Sequence, residues 1–88
     1  MKNICVLGLG YIGLPTAVVL AKAGHKVIGV DTNEFIIKNL NKGQPHIYEK
    51  GLEQLVKESI SKKSLIVSNK PSYADVFIIA VPTPFHIT

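Results

Sequence analysis

The chain has 88 residues, 47% of them hydrophobic and 18% charged, which allows one small globular domain and excludes intrinsic disorder. Its net charge of +4 does not indicate a nucleic-acid partner, because the lysines are scattered and no aromatic residues are interleaved with them. No apolar run reaches the roughly 18 residues of a membrane span, and Met1-Lys2 leads into a first strand rather than a signal peptide, so we expect a cytoplasmic protein with no membrane partner.

The first predicted element is an apolar run, Ile4 to Leu7, that passes directly into the stretch Gly8-Leu9-Gly10-Tyr11-Ile12-Gly13. The run has no polar alternation and predicts a parallel strand covered on both faces. In the Gly-x-Gly-x-x-Gly stretch, the first glycine allows a sharp turn, the second lets a pyrophosphate approach the backbone, and the third lets the following helix pack on the strand. Because that helix points unpaired N–H groups at the same place, the stretch predicts a nucleotide-binding anion site.

This helix is predicted over Tyr11–Ala23, since Pro15 is tolerated only where its missing N–H group belongs to a first turn. A second strand, Lys26 to Val30, is followed by Asp31, which lies 18 residues after Gly13. This spacing is close to that of a carboxylate that binds an adenosine ribose. Asp31 could instead cap the next helix, but its place at the carboxyl end of the strand favours ribose binding.

The remaining sequence continues the alternation of helices and strands. It predicts a helix capped by Thr32 or Asn33 and ended by Gly43, and then a loop over 44–50. A further helix has Leu52, Leu55, Val56 and Ile60 on one face. Strands follow over 65–67 and 76–81, and residues 71–74 between them could form one helical turn. Such alternation gives a parallel sheet with right-handed crossovers, here in the order 3-2-1-4. The predicted fold class is therefore α/β, as the N-terminal part of a Rossmann-type doubly wound parallel sheet.

Cysteine and histidine residues offer no second site. Cys5 is the one cysteine, so no internal disulfide can form, and its place within the first strand predicts a buried, inert thiol. His25, His46 and His86 are too far apart in sequence to indicate a metal site, so no metal is expected.

Four motifs share the order and spacing of one family: Val6 to Pro15, Ile28 to Asp31, His46 to Leu52 and Ala80 to Pro84. Through them the chain resembles the UDP-glucose/GDP-mannose dehydrogenase family over essentially its whole length. Members oxidise the C6 hydroxyl of a nucleotide sugar to a carboxylate with two NAD⁺ per turnover. The resemblance therefore implies an NAD-dependent oxidoreductase of polysaccharide biosynthesis, with residues 1–88 as its N-terminal NAD-binding domain.

Two segments, His46-Ile47 and Val81 to Phe85, are more similar to the N-acetylhexosamine branch of that family. They imply UDP-N-acetyl-mannosamine or another UDP-N-acetylhexosamine as the substrate. At matching positions the resemblance implies cofactor contacts from the three glycines, two backbone amides, the acid after strand 2 and a residue after strand 4: Gly8, Gly10, Gly13, Tyr11, Ile12, Asp31 and Thr83.

The sequence departs from the family pattern at two positions. Ile36 stands where a lysine or arginine often packs on the adenosine side, and Lys50 replaces a proline in the loop after the second helix. The family's catalytic cysteine, with its supporting lysine and asparagine, corresponds to sequence far beyond Thr88. The resemblance therefore implies that residues 1–88 hold no catalytic residue and are inactive alone, and that the full-length enzyme forms a homo-oligomer.

A binding module without chemistry is the alternative interpretation. Nucleotide-sensing domains attached to potassium channels also carry Gly-x-Gly-x-x-Gly and an acid after strand 2. Pro82-Thr83-Pro84 and the loop from His46 to Leu52 favour the dehydrogenase, because a sensor has no need of either.

Overall fold

A computed structural model of the chain describes residues 2–47 and 49–80. Its elements in chain order are β1 (Asn3–Leu7), α1 (Gly13–Lys22), β2 (Lys26–Val30), α2 (Glu34–Asn41), α3 (Leu52–Ser61), β3 (Leu65–Ser68) and β4 (Val76–Ile79). The four strands form one parallel sheet in the order β3-β2-β1-β4. The predicted α/β class and strand order are confirmed.

The main hydrophobic core lies on one face of this sheet. In α1 the apolar positions Leu14, Ala17, Val18 and Ala21 follow helical spacing, and all four are buried. Val56 of α3 joins them, together with strand residues such as Val6, Val27 and Leu65. Because the glycine-rich turn follows the last residue of β1 in a parallel sheet, it lies at the carboxyl edge of the sheet.

The second face of the sheet is only partly covered. The register sets Cys5 beside Ile28 and Phe77, and Ile28 beside Ile66, so these four side chains form one row. Cys5 is fully buried, as predicted, whereas Ile66 and Phe77 are more than half exposed. The prediction of coverage on both faces concerned β1, and it holds for the centre of that strand, whereas the second face is more exposed at the outer strands β3 and β4.

Helix α1 begins at Gly13, two residues later than predicted. The first helical hydrogen bond runs from the Leu14 N–H group to the Gly10 carbonyl oxygen, at 3.1 Å, so Tyr11 and Ile12 form the turn that leads in. Pro15 lies in the first turn, as its missing N–H group requires. Helix α1 therefore begins only at Gly13, because residues up to Ile12 are needed for the glycine-rich turn.

The predicted helical turn over 71–74 is wrong, because this segment has no helix. The Asp75 N–H group donates to the Asn3 carbonyl oxygen at 2.8 Å, and the Asn3 N–H group donates to the Asp75 carboxylate at 3.1 Å. Ala74 is buried against the second face of the sheet. These tertiary contacts draw the segment along the start of β1 and prevent it from closing a helical turn. The prediction for strand 4 reaches Val81, which lies outside the described residues.

Candidate dinucleotide site

The first glycine of the motif turns the chain off β1. Gly8 has φ of 100°, in the left-handed region that favours glycine. Its N–H group donates to the carbonyl oxygen of Val30 at 2.7 Å, which anchors the turn to the end of β2. The turn predicted at this position is therefore present, and it places the loop next to the residue that follows β2.

The third glycine permits close packing of α1 on that turn. A Cβ atom at Gly13 would overlap the carbonyl oxygen of Gly8 and would lie 2.8 Å from its carbonyl carbon. On another side it would lie 3.3 Å from the Cβ atom of Ala80. Only glycine fits this position without displacing backbone atoms.

The second glycine faces open space. A Cβ atom at Gly10 would have no protein atom within 4 Å, among the described residues. The missing side chain therefore serves no packing need of the protein itself. It leaves an uncovered stretch of backbone of the kind that a pyrophosphate group can approach, so the loop fits a dinucleotide.

The start of α1 presents free backbone donors beside Gly10. Within the described ranges, the N–H groups of Tyr11, Ile12 and Gly13 have no acceptor, and Ile12 caps the helix without a side-chain hydrogen bond. The first turn contains no acidic residue that could offset the positive end of the helix dipole. The side chains of Tyr11 and Ile12 point outward and are mostly exposed. This arrangement can bind an anion.

Asp31 lies beside the same loop. One carboxylate oxygen, Oδ2, accepts from the Leu9 N–H group at 3.0 Å, and the other, Oδ1, accepts from the Asn33 N–H group at 2.9 Å. The cap of α2 is Asn33, whose side-chain oxygen accepts from Phe35 N–H at 2.9 Å. The interpretation of Asp31 as only a helix cap is therefore wrong, and the predicted capping by Asn33 is confirmed.

Two further residues of the site, Leu9 and Gly29, become evident from the structure. Leu9, between the first two glycines, is fully buried, and its side chain occupies the space above Gly29 in β2. A glycine inside a strand often marks the close approach of another group, and that signal was available in the sequence.

Two departures from the family pattern have structural outcomes. Ile36 packs against the main core and offers no charge to an adenosine.

The loop that contains Lys50 borders a separate cleft of about 580 Å³, which is also lined by Phe35, Asn39 and His46. Both ring nitrogens of His46 are buried with no hydrogen-bond partner in the part of the chain that the structure describes. This cleft includes neither the glycine loop nor Asp31.

Thr83 lies outside the described residues, so its predicted cofactor contact stays a prediction. Over residues 2–47 and 49–80, no three metal-binding side chains cluster. No helix in those ranges has the length and apolar character needed to cross a membrane.

The site combines a parallel sheet in this strand order with a glycine turn, a helix start with free N–H groups and a carboxylate after β2. Together these features define a dinucleotide-binding Rossmann module. Residues 2–88 match the UDP-glucose/GDP-mannose dehydrogenase family, NAD binding domain, and the chain belongs to that family. This membership favours the dehydrogenase over the nucleotide-sensing channel module.

Named relatives agree with this family. The chain is 54% identical over 84 residues to the UDP-N-acetyl-D-mannosamine dehydrogenase of Campylobacter jejuni, covering 96% of this chain and 21% of that protein. It is 50% identical to the NDP-N-acetyl-D-galactosaminuronic acid dehydrogenase of Ralstonia nicotianae, covering 96% and 20%. The solved UDP-N-acetyl-mannosamine dehydrogenase Cap5O of Staphylococcus aureus matches with a TM-score of 0.90 and 51% identity, covering 93% and 20%. The chain thus spans about a fifth of the length of these relatives.

Proposed function

We propose that this chain provides the NAD site of a nucleotide-sugar 6-dehydrogenase, which oxidises the C6 hydroxyl of a UDP-N-acetylhexosamine to a uronate with two NAD per turnover. UDP-N-acetyl-mannosamine is the first substrate to test, because the relatives from Campylobacter jejuni and Staphylococcus aureus carry its name. The observation that carries the cofactor site is the open backbone at Gly10 beside the free N–H groups of α1.

Each part of the loop has a distinct role in this proposal. The N–H groups of Tyr11 and Ile12 would bind the pyrophosphate, since they lie at the positive end of α1 and have no acceptor among the described residues. Gly8 and Gly13 set the path of the loop, and Gly10 leaves it accessible. Asp31 would accept hydrogen bonds from the ribose hydroxyls, because each carboxylate oxygen has a second lone-pair direction beyond its backbone contact. Bound NAD supplies the hydride acceptor for the alcohol.

Asp31 should select NAD over NADP. The 2′-phosphate of NADP would lie next to the Asp31 carboxylate, and the repulsion should weaken binding at least tenfold, or about 1.4 kcal/mol. Titration calorimetry with the two cofactors at low salt measures the ratio, and Asp31→Asn should reduce it. Equal affinities of the parent for NAD and NADP would remove Asp31 from the ribose site.

The 88-residue chain by itself should produce no NADH from UDP-N-acetyl-mannosamine, UDP-N-acetyl-glucosamine or UDP-glucose. The reaction needs an accessible thiol of lowered pKa to hold the C6 aldehyde, whereas Cys5 is fully buried among apolar side chains. Absorbance at the NADH band measures turnover, with Cys5→Ser beside the parent. Turnover that disappears in the serine variant would contradict this account of Cys5.

The protein encoded by the whole reading frame tests the reaction itself. We expect it to form two NADH for each uronate from a UDP-N-acetylhexosamine, and to prefer that sugar to UDP-glucose. One NADH per sugar, or a preference for UDP-glucose, would overturn the assignment of reaction or substrate while leaving NAD binding by this chain intact.

A further inference from the structure

Leu9, the residue between the first two glycines, is held by β2 and by Asp31, the residue that follows this strand. Its side chain is fully buried in the main core, and its N–H group donates to Asp31 Oδ2 at 3.0 Å. One residue of the phosphate loop thus has its side chain packed on the neighbouring strand and its backbone N–H group bound by the residue after that strand. Gly10, which must present open backbone to a ligand, follows it directly.

Gly29 gives the Leu9 side chain its space. A Cβ atom at Gly29 would lie 2.9 Å from Leu9 Cδ2 and 3.1 Å from Leu9 Cδ1. Both distances are shorter than ordinary carbon contacts, so an alanine at Gly29 would push Leu9 away. Since Leu9 has no exposed surface, its terminal methyl groups can yield only by displacing other core atoms, and we expect part of this shift to reach the loop backbone.

Asp31 is oriented before any ligand binds. Its Oδ1 atom accepts from the Asn33 N–H group at 2.9 Å, and Asn33 is itself fixed as the cap of α2. The carboxylate therefore joins the glycine loop to the start of α2. The hydrogen bond from the Leu9 N–H group to Asp31 Oδ2 does not involve the ribose. It therefore holds the loop even when the ligand has no ribose hydroxyl groups.

We propose that Gly29 and Asp31 are positioning residues for pyrophosphate binding, and that both act through Leu9. Gly29 admits its side chain and Asp31 holds its N–H group, so that together they fix the backbone of Gly10. The proposal rests on the NAD site proposed above. In addition to binding the ribose, Asp31 would thus strengthen pyrophosphate binding in a way that does not depend on the ribose hydroxyl groups.

The first test compares ADP with 2′,3′-dideoxy-ADP, which lacks both ribose hydroxyls. An amide at position 31 has one acceptor oxygen for two N–H groups, so Asp31→Asn should bind dideoxy-ADP about fivefold more weakly than the parent does. If Asp31 acts only on the ribose, Asp31→Asn should bind dideoxy-ADP as tightly as the parent or more tightly, because the change removes a negative charge near the diphosphate. Amide hydrogen exchange at Leu9 should also become faster in the variant.

Asp75→Asn is the matched control. The Asp75 carboxylate likewise accepts a backbone N–H group, that of Asn3 at 3.1 Å, but at the amino end of the sheet. The charge change is the same, and Asp75 lies at the opposite end of β1 from the glycine loop. Both nucleotides should therefore bind this variant as they bind the parent.

The second test uses Gly29→Ala, with a compensating change at Leu9. The alanine should weaken ADP and dideoxy-ADP binding by about fivefold or more, and equally for both. Leu9→Val in the same chain removes the terminal methyl groups that the new Cβ atom would meet, and should restore most of the affinity. Urea unfolding of each variant identifies any effect that comes only from lost stability.

The outcomes separate this inference from the function on which it rests. A parent that binds neither NAD nor ADP overturns the proposed site and this inference with it. A parent that binds both, with Asp31→Asn equal to it on dideoxy-ADP or with no rescue of Gly29→Ala by Leu9→Val, overturns the positioning role alone. If Gly29→Ala does not fold, the Asp31 comparison decides by itself.

Discussion

Replacing Gly13 with alanine is expected to lower the free energy of unfolding by about 2–3 kcal/mol, although alanine is the better helix former. Helix propensity alone would make this change stabilising by roughly 1 kcal/mol. The overlap of the new Cβ atom with the Gly8 carbonyl oxygen outweighs that gain, because it displaces backbone atoms. Ala80 closes another side, with its Cβ atom 3.3 Å away, and leaves little room for adjustment. Urea unfolding followed by circular dichroism measures the change.

Gly10→Ala is the control for this prediction. It adds the same methyl group three residues earlier, where no atom of the described residues lies within 4 Å. Its stability should stay within about 0.5 kcal/mol of the parent, as for a surface substitution. If Gly13→Ala unfolds at the same urea concentration as Gly10→Ala, the close packing of α1 on the glycine turn is wrong.

Replacing Gly10 with valine is expected to abolish NAD binding while the protein stays folded. The branched side chain would stand in the open space that the pyrophosphate needs, and an affinity loss of at least 100-fold, about 2.7 kcal/mol, is expected. The far-ultraviolet circular dichroism spectrum should match that of the parent, since the new Cβ atom has no described protein atom within 4 Å and the side chain starts in open space. Titration calorimetry with NAD measures the loss. A variant that binds NAD as well as the parent would show that the ligand does not approach this stretch.

Much of the fold follows from local pattern in the sequence. After one polar residue at the start of each, the strands β1 and β2 contain no further polar residue. The buried positions of α1 repeat at helical spacing. These three elements were therefore predictable from single segments. The strand order followed because right-handed crossovers restrict how such segments can connect. Asn33 was predictable as a cap because its residue type and position suffice.

Contacts between distant segments were not predictable in this way. The segment over 71–74 contains residues that allow a helical turn, but the pairing of Asp75 with Asn3 depends on a strand at the other end of the chain. The contacts of Leu9 with Gly29 and Asp31 are likewise tertiary. Spacing predicted the place of Asp31 beside the loop, but not the backbone donors that hold it.

The incompletely covered second face of the sheet has a consequence for handling the protein in solution. Three apolar residues of the outer strands are more than half exposed: Ile66 in β3, and Phe77 and Ile79 in β4. An apolar surface of this kind promotes colloidal association. The outer edges of β3 and β4 pair with no further strand within residues 2–47 and 49–80, and such edges add a route to edge-to-edge aggregation. The 88-residue chain should therefore stay monodisperse only in dilute samples, and its yield should respond to mild detergent more than to added salt.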